Sequence, residues 1–128
     1  MAAVKTNGNT IVVVVQDLFF AVRISDVLRA IGYKGTSVQD KGALRRILGE
    51  VRPHMVILDL QATGLTPEDV VSAIRDAGPG RAIPVLAFGP HADVKKREEA
   101  LRAGCQKVVP KSVLSAELPQ LVKNMLRP

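Results

Sequence analysis

Tryptophan is absent from this chain of 128 residues, tyrosine occurs once and phenylalanine three times. So small an aromatic content leaves little for the base-stacking platforms of single-stranded nucleic-acid modules, and it requires an aliphatic core. There is one cysteine, Cys105, which excludes an intramolecular disulfide and agrees with a reducing, cytoplasmic setting. No unbroken apolar run exceeds five residues, Ile11–Val15 being the first, whereas a membrane-spanning helix needs about 20. Residues Met1–Thr10 hold no long apolar stretch, so no signal peptide is expected. No G-x-G-x-x-G follows the first apolar run, and neither a Walker motif nor a G-x-S-x-G elbow occurs. His54 and His91 lie far apart in sequence, and with one cysteine they make no zinc site.

What is present describes one globular domain. Apolar residues make up 47% and charged residues 23%, which is neither disordered nor membrane composition. The length fits a single domain that buries a core without metals or disulfides. Residues 1–9 read as a loose tail and 10–128 as the domain. The formal net charge is +6 and the pI about 9.9. Such a charge attracts nucleic acid or an acidic protein surface, or it serves as a solvated, colloidally stable exterior.

Along the chain, short apolar runs alternate with helical periods. Ile11–Val15 is β-branched and apolar at each position, which predicts a strand buried on both faces, as in a parallel sheet. Phe20, Ile24, Val27, Leu28 and Ile31 recur at helical spacing and stop at Gly32. A weaker strand is predicted near Tyr33–Val38, then a helix with Leu44, Ile47, Leu48 and Val51 on one face, ended by Pro53. Met55–Leu58 is a second apolar strand and finishes at Asp59. Thr66-Pro67-Glu68-Asp69 is a helix start with cap, proline and acids in place, and Gly78-Pro79-Gly80 breaks that helix. Ile83–Phe88 is the next strand, followed by a charged helix over about Asp93–Ala103 that stops at Gly104. In that helix Lys95-Lys96-Arg97 and Glu98-Glu99 read as a solvated, self-pairing face. Lys107–Val109 is a last short strand. The final helix carries Leu118, Leu121, Val122, Met125 and Leu126, with Pro119 in its first turn. Five βα units in succession predict an α/β domain, a parallel sheet with helices on both faces and right-handed crossovers.

In such sheets ligands bind beyond the carboxyl ends of the strands. Strand one ends in Gln16-Asp17, strand three in Asp59, strand four in Gly89-Pro90-His91, and strand five runs into Pro110-Lys111-Ser112. Two carboxylates and a lysine therefore converge on one rim. Carboxylates hold a hard cation such as Mg²⁺, an aspartate can attack a phosphoryl group, and a lysine can pair with the charge so added. Each residue also has a plainer reading. Asp17 suits the N-cap of the first helix, Asp59 the end of a buried strand, Lys111 the surface, and Cys105 a small buried filler.

The constellation, the five βα units and the length resemble the receiver (CheY-like) family over about residues 10–126. Val14-Val15-Gln16-Asp17 resembles the acidic pair after strand one, with Gln16 in place of the first acid. Val56-Ile57-Leu58-Asp59-Leu60 resembles the phosphoacceptor motif, and Leu101-Arg102-Ala103-Gly104-Cys105 the segment before strand five. Lys111 follows Gly104 at the spacing of the family's lysine, and Glu117-Leu118 is similar to the start of its last helix.

The resemblance implies a flavodoxin-like (βα)5 doubly wound sheet of strand order 2-1-3-4-5. It implies a non-enzymatic module of a two-component phosphorelay. Asp59 would be phosphoacceptor, assisted by Lys111. Mg²⁺ would sit on Asp17, Asp59 and the Gln61 carbonyl, with Gln16 acting through water, and its binding would be weakened by the lost acid. The implied partners are a histidine kinase or phosphotransfer protein and a downstream protein. The latter would contact the face of the fourth helix, fifth strand and fifth helix, including Lys95, Lys96, Arg102, Lys107 and Lys123. Neither a membrane nor nucleic acid is expected as partner. The departures are specific. Gly89 stands where the family has a hydroxyl residue and Val108 where it often has a switch aromatic. Ser112 replaces a common proline, and the loop Gln61-Ala62-Thr63-Gly64 lacks another. They leave open a pseudo-receiver that binds its partner regardless of phosphorylation. The basic charge leaves open a small flavodoxin-like domain for a nucleotide or nucleic acid, with binding steeply dependent on salt.

Overall fold

A computed structural model describes residues 9–78, 82–90 and 93–126. Five strands and five helices alternate: β1 (Thr10–Val14), α1 (Leu18–Ala30), β2 (Lys34–Ser37), α2 (Lys41–Glu50), β3 (Met55–Asp59), α3 (Pro67–Asp76), β4 (Val85–Gly89), α4 (Val94–Ala103), β5 (Lys107–Pro110) and α5 (Lys111–Met125). The strands form one parallel sheet in the order β2-β1-β3-β4-β5. The predicted architecture and strand order are both observed.

The alternation of side chains along a strand divides the core into two layers. Ile11, Val13, Met55, Ile57, Leu86 and Phe88 point to one face and pack with Phe20, Ile24 and Leu28 of α1 and Leu114, Leu118 and Val122 of α5. Val12, Val14, Val56, Leu58, Val85 and Ala87 point to the other and meet Leu44 and Leu48 of α2, Val70 and Ile74 of α3, and Ala100 of α4. Every residue of β1, β3 and β4 is buried, which is why those strands lack polar alternation. The edge strand β2 (Lys-Gly-Thr-Ser) has no fully buried residue, and its signal in sequence was correspondingly weak.

Four helices start on side-chain caps: Asp17 for α1, Asp40 for α2, Thr66 for α3 and Asp93 for α4. At Thr66 the reciprocal capping box with Asp69 is complete, and the Thr66 backbone N–H, with help from Lys41, holds the Asp69 carboxyl below its usual range. The stops expected at Gly32 and Gly104 are there, with φ of 94° and 120°.

Two details differ from the sequence prediction. The last helix begins at Lys111, directly on the end of β5 and without a side-chain cap, and it is kinked at Glu117 (φ −126°, ψ 19°). Pro119 thus lies in the first turn after the kink rather than at the start of the helix, and its missing N–H falls where the hydrogen-bond ladder is already interrupted. The strand predicted from Ile83 begins at Val85, because Pro84 has no N–H to donate to a ladder. His91, the Pro79-Gly80 break and most of the predicted tail lie outside the described residues. No helix among the described residues is long and apolar enough to cross a membrane.

Candidate functional site

The parallel sheet carries the ends of β1, β3, β4 and β5 to one rim, and the geometry there is built around Asp59. This last residue of β3 is buried, 7% exposed, and lies opposite Phe88 in the ladder with β4. Its Oδ1 accepts a hydrogen bond from the Gln61 backbone N–H at 2.9 Å, and its Oδ2 a longer one from the Gln16 backbone N–H at 3.4 Å. Among the described residues Asp59 makes no ion pair. A carboxylate this sheltered, held by two backbone donors and no cation, suits a cation brought from outside.

Asp17 follows the β1 end. Its Oδ1 caps α1 by accepting from the N–H groups of Phe19 (2.9 Å) and Phe20 (3.3 Å). Both bonds fall on one oxygen, so the cap and a ligand role for Oδ2 are compatible. Gln16 does something the sequence did not announce. Its Oε1 accepts from the Thr63 N–H at 3.1 Å, tying the β1 end to the loop that follows Asp59. That loop is further fixed by Ala62 N–H to the Asp59 carbonyl at 3.0 Å. At Gly64 a Cβ would stand 2.2 Å from the Gln39 carbonyl oxygen. The loop after β3 and the loop after β2 therefore touch through backbone, at a spot that admits only glycine.

Lys111 starts α5 at the end of β5. Its ammonium sits 4.6 Å from the centroid of the Phe20 ring, and Phe20 meets Phe88 edge-on, with centroids 5.4 Å apart at 66°. The lysine is thereby seated on a two-ring stack whose inner member pairs with Asp59 across the sheet. Asp17, Phe19, Phe20, Arg23, Lys111 and Ser112 line one open groove of about 400 Å³, so Asp17 and Lys111 share a wall as predicted.

Next to Leu60, the residue that follows Asp59, lies a smaller recess of about 60 Å³, lined also by Gly89, Pro90, Asp93, Lys96, Arg97 and Val108. It occupies the place where a hydroxyl at position 89 and an aromatic at 108 would have stood. The Lys96 ammonium crosses it to the Leu60 carbonyl oxygen at 3.5 Å, the outer limit of a hydrogen bond. Sequence reasoning placed Lys96 in a solvated charge run, and nothing in that run marks one lysine as the one that turns inward.

A second feature it missed is apolar. Leu18, Phe19 and Val22 of α1 are exposed, Phe19 by 86%, beside Asp17. Periodicity placed the core stripe at Phe20, Ile24, Val27, Leu28 and Ile31 and drew no notice to the apolar residues beside it. Cys105 is the buried filler expected, and burial pushes its thiol up to about 11. No group of three or more His, Cys, Asp or Glu side chains that could hold a metal occurs among the described residues. The available donor set is two carboxylates and a carbonyl, sufficient for Mg²⁺, which keeps much of its water, though not for an all-protein cage.

The fold recurs in known proteins. The chain is 30% identical over 124 residues to an uncharacterised 76.5 kDa protein of Thiocystis violacea, covering 97% of this chain and 18% of that protein. It is 29% identical over 96 residues to the protein PetR of Rhodobacter capsulatus, covering 75% of this chain and 39% of PetR. It therefore spans well under half the length of these relatives. Its structure superposes on a putative response regulator from Chloroflexus aurantiacus with a TM-score of 0.80, at 24% identity and covering 94% and 98% of the two chains. It superposes with a TM-score of 0.78, at 23% identity and covering 94% and 98%, on the receiver domain of a sensor histidine kinase from Pseudomonas aeruginosa. That structure holds a magnesium ion in its active-site cleft. Residues 11–123 match the response regulator receiver domain, and the chain belongs to that family, the CheY-like receivers of two-component signalling.

Proposed function

We propose that this domain accepts a phosphoryl group on Asp59 from a histidine kinase or phosphotransfer protein and passes the signal on by protein–protein contact. The carrying observation is the Asp59 carboxylate itself: sheltered at the end of a central strand, held by the Gln16 and Gln61 backbone N–H groups, and unpaired with any described cation, while Asp17 and Lys111 line one groove at the strand ends. Asp17, Asp59 and the Gln61 carbonyl would hold Mg²⁺, with Gln16 contributing through water. When bound, the ion neutralises charge on the phosphoryl oxygens. In the transfer an Asp59 oxygen attacks phosphorus in line, the bond from phosphorus to the donor imidazole breaks, and the released imidazole nitrogen recovers a proton. The Gln16 and Gln61 N–H groups keep the carboxylate oriented for attack. Lys111 supplies a cation for the new phosphoryl charge from its seat on Phe20. Exposed Leu18, Phe19 and Val22, beside Asp17, offer apolar surface where a donor can bury its own. Lys95, Lys96, Arg102, Lys107 and Lys123 are all exposed and suit an acidic downstream partner. The chemistry fits a cytoplasmic protein.

A second reading keeps the fold and drops the transfer. It is favoured by Gln16, whose amide oxygen is already committed to Thr63, and by Gly89, which offers no hydroxyl. One experiment separates them. The protein is incubated with Mg²⁺ and acetyl phosphate and its intact mass measured, with Asp59→Asn alongside. A hydroxylamine-labile phosphoryl adduct on wild type, absent from the variant, is expected. No adduct and no Mg²⁺ binding by titration would leave the phosphorylation-independent module.

A further inference from the structure

We infer that Lys96 is a phosphoryl-binding residue of this site, standing in for the hydroxyl that Gly89 lacks and linking Asp59 to α4. The inference rests on the proposal that Asp59 is phosphorylated.

The geometry begins with the strand register. Asp59 lies opposite Phe88, and Leu60 donates its N–H to the Phe88 carbonyl at 2.9 Å, so Gly89 is the β4 residue that adjoins the step from Asp59 to Leu60. A Cβ at Gly89 would meet Leu60 side-chain atoms at 3.4 Å, an ordinary contact. The recess is therefore real space that a side chain could fill, and no side chain of β4 fills it. A phosphoryl oxygen directed to this side of Asp59 would find no side-chain donor on β4.

Lys96 reaches into that space from α4. Its backbone is fixed one turn into the helix by the Asp93 cap, whose Oδ1 accepts from the Lys96 N–H at 3.0 Å. Its ammonium ends 3.5 Å from the carbonyl oxygen of the residue that follows the phosphoacceptor. The Asp93 carboxylate also borders the recess, but it serves the helix cap, and among the described residues Lys96 makes no ion pair. The resting bond to Leu60 is long and neutral on the acceptor side. A phosphoryl oxygen is a charged acceptor, so the ammonium gains there an ion pair that the neutral carbonyl cannot give. On phosphorylation the ammonium exchanges the weak partner for the strong one, and α4 is drawn toward the rim. The domain then carries cations on both sides of Asp59, Lys111 from α5 and Lys96 from α4. The state of Asp59 is reported by a helix, without a hydroxyl–aromatic pair.

The test uses beryllium fluoride with Mg²⁺, which forms a tetrahedral mimic of aspartyl phosphate, on wild type, Lys96→Met, Arg46→Met and the double variant Lys96→Met/Gly89→Ser. Affinity by titration should fall about tenfold in Lys96→Met, stay within about twofold in Arg46→Met, which removes the same charge elsewhere, and recover in the double variant, where a hydroxyl returns to β4. Thermal unfolding of the unliganded Lys96→Met protein should match wild type, and the Lys96 side-chain nitrogen resonance should move on adduct formation. Adduct formation by wild type with Lys96→Met unchanged would overturn the role of Lys96 and leave Asp59 as acceptor. No adduct on wild type, with acetyl phosphate or with beryllium fluoride, would overturn both.

Discussion

Replacing Phe20 by leucine should cost about 1–2 kcal/mol of stability and unseat Lys111 from its place at the strand ends. The magnitude follows from what the ring touches. Phe20 is buried against Phe88 in an edge-on pair and carries the Lys111 ammonium 4.6 Å above its centroid. Truncation to alanine would remove the whole side chain, at about 3–5 kcal/mol, a large part of the 5–15 kcal/mol typical of a domain. Leucine refills much of the volume, so what remains is the aromatic pairing, about 0.5–1.5 kcal/mol, and the cation–π contact. Because Lys111 is exposed, that contact belongs at the low end, about 0.5–1 kcal/mol. A double-mutant cycle isolates it: urea unfolding of wild type, Phe20→Leu, Lys111→Met and the pair should give a coupling of about that size. Phosphoryl uptake from acetyl phosphate should slow in Phe20→Leu with Lys111 still present, since the lysine loses its fixed position. A coupling indistinguishable from zero, together with unchanged uptake, would refute the idea that the ring holds the lysine in place.

Other outcomes are equally checkable. Gly64→Ala should destabilise the domain by more than about 2 kcal/mol or displace the loop after Asp59, because its methyl would stand 2.2 Å from the Gln39 carbonyl oxygen; denaturant melts together with the Thr63 amide resonance would show either. Gly104→Ala should cost about 1–3 kcal/mol, since φ is 120° and the new methyl would press on Val71 at 3.2 Å. Thr66→Ala should cost about 1 kcal/mol by opening the capping box of α3, measured by thermal or urea unfolding. The Cys105 thiol is raised by burial, and secondarily by Glu68, from 9.0 to about 11. The neutral form is the one favoured in the fold, so its stabilisation is complete below pH 9 and is lost as pH rises through about 11, by about 2–3 kcal/mol. Cys105→Ala should flatten that part of the pH–stability curve, and native protein should resist thiol reagents until unfolded.

Much of this was legible in the sequence, for identifiable reasons. Ile11–Val15 and Met55–Leu58 are apolar throughout because both faces of a central parallel strand are covered, and that requirement is written directly into residue type. Asp17, Asp59 and Lys111 could be placed at one rim because a parallel sheet brings strand ends together however far apart they lie in the chain. Less legible were features set by tertiary geometry. The edge strand β2 carries almost no burial signal. Lys111 could be placed on the rim, but its seat on Phe20 depends on α1 and α5 sharing a face of the sheet. The bridge from the Gln16 amide oxygen to Thr63 depends on where the loop after β3 folds, which residue types alone do not give. Lys96 was indistinguishable from Lys95 and Arg97, since a run of cations on an exposed helix does not reveal which one folds back over a recess. The start of α5 at Lys111 has no capping side chain, so nothing local announced it.

The two strands at the margins of the sheet, β2 and β5, have a consequence for how this domain can be recognised. Each is four residues long and opens with a lysine, and β5 closes on Pro110, which has no N–H to offer. Short, charged margins, one of them closed by a proline, discourage a neighbouring chain from adding itself as a sixth strand, the route by which many peptides dock and by which sheets aggregate. Recognition of this domain must therefore be read from side chains on its helices and loops, and the protein should remain free of edge-to-edge assembly at high concentration.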